Sequence, residues 1–182
     1  MRRAIVVGRA RGALEEYAAV SALCDFDDVL VVGAMAAAFP GRVDHLVSFH
    51  AELFDHWASA RADAGLSPAG CYWGARYRGR NLGEDTVRCR PLRYAPCVGG
   101  SSGFLAMEGV ALGALGADRV VLVGVPMRAE DAHVGSSAPW EEANNYWATW
   151  EEYMPRLIGR VKSASGRTRD ALGFPDAEFL GL

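Results

Sequence analysis

Three runs of four apolar residues constrain the fold of this chain more than any other feature. They occupy positions 4–7 (Ala-Ile-Val-Val), 29–32 (Val-Leu-Val-Val) and 120–123 (Val-Val-Leu-Val), and a glycine closes each: Gly8, Gly33 and Gly124. Continuous rather than alternating apolarity predicts strands covered on both faces. Helix-compatible stretches lie at 13–23 and 51–64, the latter stopped by Gly65. Between them, Pro40-Gly41 marks a turn, and residues 43–49 read as a further strand that ends at Ser48-Phe49-His50. The clearest unit is the small-residue helix at 104–115, stopped by Gly116 and followed by the strand at 120–123. Strands alternating with helices predict an α/β fold with a parallel, doubly wound sheet.

The remainder is less regular. Cys71-Tyr72-Trp73 reads as a short strand. Six arginines between positions 76 and 93 face only Glu84 and Asp85, a local charge of +4. That run reads as a solvated loop or edge strand, with an arm over a phosphate-bearing ligand as the alternative. Positions 128–137 form a polar loop, long for a compact domain. Residues 140–162 predict one long aromatic helix, kinked or restarted at Pro155, and the tail predicts a short helix between turns.

With 182 residues, the chain reads as a single domain over 1–182, with its core at about 4–127 and the aromatic helix and tail at 138–182. Hydrophobic residues make up 51% and charged residues 23%, which excludes a disordered chain. A net charge of -3 gives the whole molecule no strong nucleic-acid or membrane-surface signal. Cys24, Cys71, Cys89 and Cys97 contain no CxxC pair, so neither a zinc site nor a disulfide framework is expected. No stretch approaches the roughly 20 apolar residues of a spanning helix, and the start lacks a secretory pattern. The expectation is a cytoplasmic protein with reduced thiols.

Two glycine-bearing bends carry the candidate ligand contacts. Gly8-Arg9-Ala10-Arg11-Gly12 follows the first strand, where α/β sheets place ligands. It lacks both the GxGxxG and the P-loop spacing, so a plain strand-to-helix turn is the competing reading. Its arginines tilt the balance toward an anion held by Gly8, Arg9, Arg11 and Gly12. The second bend, Gly99-Gly100-Ser101-Ser102-Gly103, opens a helix. Its Ser101, Ser102 and Gly103 suit either a structural cap or an anion site, while the GxSxG spacing of a serine nucleophile is absent. His50 and His133 both fall at the ligand-binding edge and are the candidate acid/base residues. His45 and His56 read as structural. A metal site from His50, Glu52, Asp131 and His133 lacks ligand spacing, and none is expected. The aromatic stripe of Trp140, Tyr146, Trp147, Trp150 and Tyr153 reads as core packing. Stacking on a base or sugar, or a contact between copies in a homo-oligomer, are the alternatives.

The segments AIVVGRARGALEE, FDDVLVVG, VDHLVSFHAE and GGSSGFLAMEGVALGALGADRVVLVGVPM together resemble a Rossmann-like superfamily. Its members include the Campylobacter-type sialyltransferases, motility accessory factors, pterin-pyrophosphokinase-like proteins and phage or prophage relatives. The resemblance implies a Rossmann-like three-layer sandwich with a mostly parallel sheet. It also implies a nucleotide or nucleotide-sugar pocket built from the loops after strands one, two and four. By position, Gly8 and Gly12 would lie in the first loop, Gly33 in the second, Ser102 and Gly103 near the ligand, and His133 in the catalytic histidine loop. The first loop departs from the Gly-Asn-Gly-Pro-Ser common in the sialyltransferases. The leading expectation is therefore a glycosyltransferase-like enzyme acting on a nucleotide-type ligand, with no certain cofactor. One alternative is a Mg-dependent pyrophosphoryl transferase, whose carboxylates would be Glu52, Glu130 and Asp131. The other is an inactive phage-type accessory or binding module.

Overall fold

A computed structural model of the chain describes residues 1–82, 87–130, 133 and 138–182. Eight strands form one mixed sheet: β1 (Arg3–Val7), β2 (Asp28–Val32), β3 (His45–Val47), β4 (Cys71–Tyr77), β5 (Arg80–Asn81), β6 (Leu92–Cys97), β7 (Arg119–Val123) and β8 (Val161–Ser163). Their order is β6-β4-β3-β2-β1-β7-β8, and every neighbouring pair along it is parallel. β5 folds back antiparallel on the end of β4, pairing Arg76 with Asn81 and Tyr77 with Arg80.

The apolar runs become the strands buried on both faces. Successive side chains of β1 alternate between two cores, as the two-residue repeat of a strand requires. Ile5 and Val7 join Val121, Val123, Phe39, Phe54 and Trp57 on the face covered by α1 (Ala13–Ser21), α2 (Met35–Ala38) and α3 (Phe54–Asp63). Ala4 and Val6 join Leu122, Phe104, Met107 and Trp150 on the other face. That face is covered by α4 (Ser102–Phe104), its π-helical continuation Leu105–Ala114, and α5 (Ala143–Leu157). The result is the expected α/β three-layer sandwich of Rossmann-like form with a mostly parallel sheet. Among the described residues, no helix is long and apolar enough to cross a membrane.

Several boundaries differ from the sequence reading. The helix expected over 140–162 begins at Ala143, runs through Pro155 and ends at Leu157. Gly159 then takes φ +81 and turns the chain, so that Val161 pairs with Val120 and Lys162 sits in a strand. Strand formation wins there because the edge of β7 needs a partner for its backbone groups. The third strand shrinks to His45–Val47, while the short strand at 71–73 extends to Tyr77. The arginine-rich run supplies the end of β4, all of β5 and the start of β6, an edge arrangement. The tail holds two short helices, α6 (Gly166–Leu172) and α7 (Ala177–Leu180).

Buried polar groups fix the loops at the carboxyl rim of the sheet. One oxygen of Glu16 accepts from the Gly124 N–H (2.6 Å) and from the Ser165 hydroxyl, while Ser165 Oγ accepts from Val125 N–H. Thr168 Oγ1 donates to the Val125 carbonyl (2.6 Å). Arg61, 2% exposed, donates to the carbonyls of Ala36, Phe39 and Gly41 and so ties down the segment after β2. Buried donors and acceptors left unpaired would each cost about 1–3 kcal/mol, so these contacts define the loop shape rather than decorate it.

Candidate functional site

Starting from β1, the sheet grows outward through β2 on one side and through β7 on the other. The loops leaving these two strands diverge, and α/β sheets open a crevice at such a reversal. Here the crevice is a cavity of about 790 Å³ lined from β1, β2, β3, β4 and β7 and from the bend before α4. The two glycine-bearing bends meet at this same rim. Gly8 and Arg9 come from the first, Ser101, Ser102 and Gly103 from the second, and Gly33, beside Arg9, lines the cavity with them.

The reason for each glycine differs from the expectation of close ligand approach. A Cβ on Gly8 would stand 2.1 Å from the Gly124 carbonyl oxygen, so that position is dictated by the close approach of the chain just after the parallel neighbours β1 and β7. The Gly8 N–H is spent on the Val123 carbonyl (2.7 Å) and the Ala10 N–H on Gly124 (3.2 Å). Gly33 takes φ +53, a left-handed conformation that suits glycine, and faces the Trp57 ring and the Arg9 side chain. Gly103 leaves room for Val125. Ser101 caps the helix through Phe104 N–H (3.3 Å), and Ser102 Oγ accepts from Phe49 N–H (3.1 Å), joining the end of β3 to the start of α4. Arg11 and Gly12 turn away. Both are exposed and neither lines the cavity, and the Gly12 carbonyl starts α1 by accepting from Glu16 N–H.

Arg9 dominates the electrostatics. It is half-buried, and its buried Nε has no hydrogen-bond partner among the described residues. Burial pushes its guanidinium down from the ordinary arginine value. None of the described residues that line the cavity is a carboxylate. A desolvated cation without a counter-ion is costly unless something anionic completes it.

His133 stands beside it. An antiparallel bridge joins His133 to Ala10, and its ring packs on Trp140 with centroids 4.8 Å apart. Burial first, and then the Arg9 charge, hold the imidazole below its ordinary value, with Glu142 opposing. His50 lines the mouth, is exposed, and pairs through Nδ1 with Glu52 (3.1 Å). His45 lies at the opposite end of β3, near Asp28 (3.3 Å) and accepting from Trp73 Nε1 (3.2 Å). His56 is exposed on α3. Of the carboxylates considered for a metal, Glu52 and Glu130 are exposed, and Asp131 lies outside the described residues. Among the described residues no group of three or more His, Cys, Asp or Glu comes together as a metal cluster.

The sequence raises ring stacking as an alternative for Trp140 and Tyr146 but singles out neither Trp57 nor Tyr77. Trp57, Tyr77, Trp140 and Tyr146 all face the cavity. The stripe read as core packing splits: Trp147 and Trp150 stack in the core at 10° between planes, whereas Trp140 and Tyr146 look into the crevice. Trp140 precedes α5, so it escapes the helical face that buries its neighbours. The cavity thus combines a cation, the start of a helix and flat rings in one lining.

No protein-family model, curated protein or solved structure matches the chain.

Proposed function

We propose that this chain binds a nucleotide or nucleotide-sugar in the crevice and transfers a glycosyl-type group from it. The observation that carries the reading is Arg9: a half-buried guanidinium with an unpartnered Nε, in a lining whose described residues include no carboxylate. A phosphate supplies the missing negative charge. The start of α4 adds backbone donors that a helix leaves unpaired in its first turn, and Trp57, Trp140 and Tyr146 suit a base or sugar ring. The resemblance to the Rossmann-like sialyltransferase and motility-accessory superfamily points the same way.

In the proposed step an acceptor hydroxyl oxygen attacks the anomeric carbon as the carbon–oxygen bond to phosphate breaks. The nucleoside phosphate leaves with the bonding electron pair. His133, held neutral near pH 7 by its lowered pKa, takes the hydroxyl proton. Arg9 and the amides at Ser102 and Gly103 hold the charge that develops on the departing phosphate.

The test is a thermal-shift screen of wild type and His133→Ala against nucleoside mono- and diphosphates and nucleotide sugars. Ligand at a hundredfold excess over its Kd contributes about 2.7 kcal/mol to stability. For a domain of this size that raises Tm by about 5–10 °C. His133→Ala is expected to keep the shift and lose turnover. A well-folded wild type that shifts with none of these ligands overturns the reading and leaves the binding-module alternative. A shift that requires Mg with a nucleoside triphosphate favours pyrophosphoryl transfer instead.

A further inference from the structure

The cavity wall continues into a cationic hairpin. Tyr77 at the end of β4 and Leu82 just after β5 both line the crevice. Residues paired across antiparallel strands project from the same face, as do residues two apart on one strand. Tyr77 pairs with Arg80, and Leu82 follows Arg80 by two, so Arg80 projects from the cavity face. Arg78 sits at the tip with its guanidinium 5.2 Å from the centre of the Tyr77 ring. Its φ of +48, with +79 at Gly79, is that of a two-residue hairpin turn, which sets the Arg78 side chain at the exposed tip. Arg76 pairs with Asn81 on the opposite face and donates to Asn81 Oδ1 (2.9 Å). Arg78 and Arg80 are exposed, and neither forms an ion pair among the described residues. The molecule as a whole carries a charge of -3, so two arginines beside the mouth without an ion pair among the described residues run against its average.

We propose that Arg78 and Arg80, with the Tyr77 ring between them and the cavity, form a subsite for the anionic group of a second substrate, a carboxylate or phosphate attached to a sugar-like ring. The ring lies on Tyr77 and the anion bridges the two guanidinium groups. Assigning this anion to the acceptor rests on the transferase reading above. The anion subsite itself rests on the hairpin geometry.

The experiment is isothermal titration with tetragalacturonate as the carboxylate probe and a hexose bisphosphate as the phosphate probe, at about 20 and about 200 mM salt. The proteins are wild type, R78Q/R80Q, R76Q and R9M. Binding of either probe to wild type, weakened about tenfold or more in R78Q/R80Q and less than about twofold in R76Q and R9M, supports the subsite, and the probe that binds names the source of the anion. Equal weakening in R76Q overturns it, because the effect is then a diffuse field. So does loss in R9M, which moves the anion into the cavity. Absence of binding by both probes, or tighter binding of a single-stranded oligonucleotide, also overturns it. If R78Q/R80Q fails to fold, R80Q alone carries the comparison. Nucleotide thermal shifts are read on the same proteins. Nucleotide binding without probe binding fells this subsite alone, and probe binding without nucleotide binding fells the nucleotide reading alone.

Discussion

Replacing Arg9 by methionine separates the cost of this site from its use. Methionine keeps the length of the side chain over Gly33, whose Cβ position lies 3.6 Å from Arg9 Cδ, and removes the charge and the unpartnered Nε. A buried polar group without a partner costs about 1–3 kcal/mol. Arg9 is only half-buried, so the lower end applies. R9M is therefore expected to be more stable than wild type by about 1 kcal/mol, a rise in Tm of about 2–4 °C for a domain of this size. The same change removes a charge-assisted contact of about 1.5–3 kcal/mol to a phosphate, so nucleotide affinity should fall about 10- to 100-fold. Urea unfolding of the free protein gives the first number, and titration with the tightest nucleotide from the screen gives the second. R9M that is less stable than wild type by 1 kcal/mol or more, while binding nucleotide as before, would show that Arg9 is a structural residue and would refute the argument from its missing counter-ion.

Three further outcomes follow from named contacts. Gly8→Ala forces a Cβ to 2.1 Å from the Gly124 oxygen, a clash of the new methyl with fixed backbone, and should cost about 3 kcal/mol or prevent folding; urea midpoints check it, and an unchanged midpoint would contradict the close approach of the chain after β1 and β7. Ser102→Ala strands the Phe49 N–H and should cost about 1 kcal/mol, read by the same unfolding curves. His133 has a folded-state pKa depressed below the ordinary 6.5, so as pH falls through that value the unfolded chain takes up a proton that the folded one refuses. Stability from this group is thus present above about pH 6.5 and lost below it, and His133→Asn should flatten that slope in the pH dependence of the urea midpoint.

The legible parts of the fold were those dictated by burial on both faces. β1, β2 and β7 announce themselves as apolar runs because neither side of these strands meets water. β6 does not, since Leu92–Cys97 reads Leu-Arg-Tyr-Ala-Pro-Cys, with neither an apolar run nor an alternation, along an edge where only Ala95 is buried. β8 is three residues long and contains the only lysine, so its pairing with β7 leaves almost no local signature. Of the candidate residues, Gly8, Arg9, His50 and His133 came from the rule that ligands sit beyond strand ends, Ser101, Ser102 and Gly103 from a helix start, and Gly33 from the resemblance, and all of them line the cavity. Arg11 and Gly12 followed from the same loop and do not, because the chain turns into α1 after Ala10. Trp57 and Tyr77 escaped, and Trp140 and Tyr146 read first as core with ring stacking as the alternative, because an aromatic residue near a helical stripe looks like core until the direction of its ring is known.

The Glu16 carboxylate binds donors 108 and 149 residues further along the chain. Ser165 is one of them, and it lies in the last tenth of the sequence. A growing chain can therefore lay down β1, β2 and β7 first, yet the bend at Gly124-Val125 takes its final shape only once Ser165 has been added and has folded back onto Glu16. Ligand competence should accordingly follow the addition of that residue rather than the completion of β7.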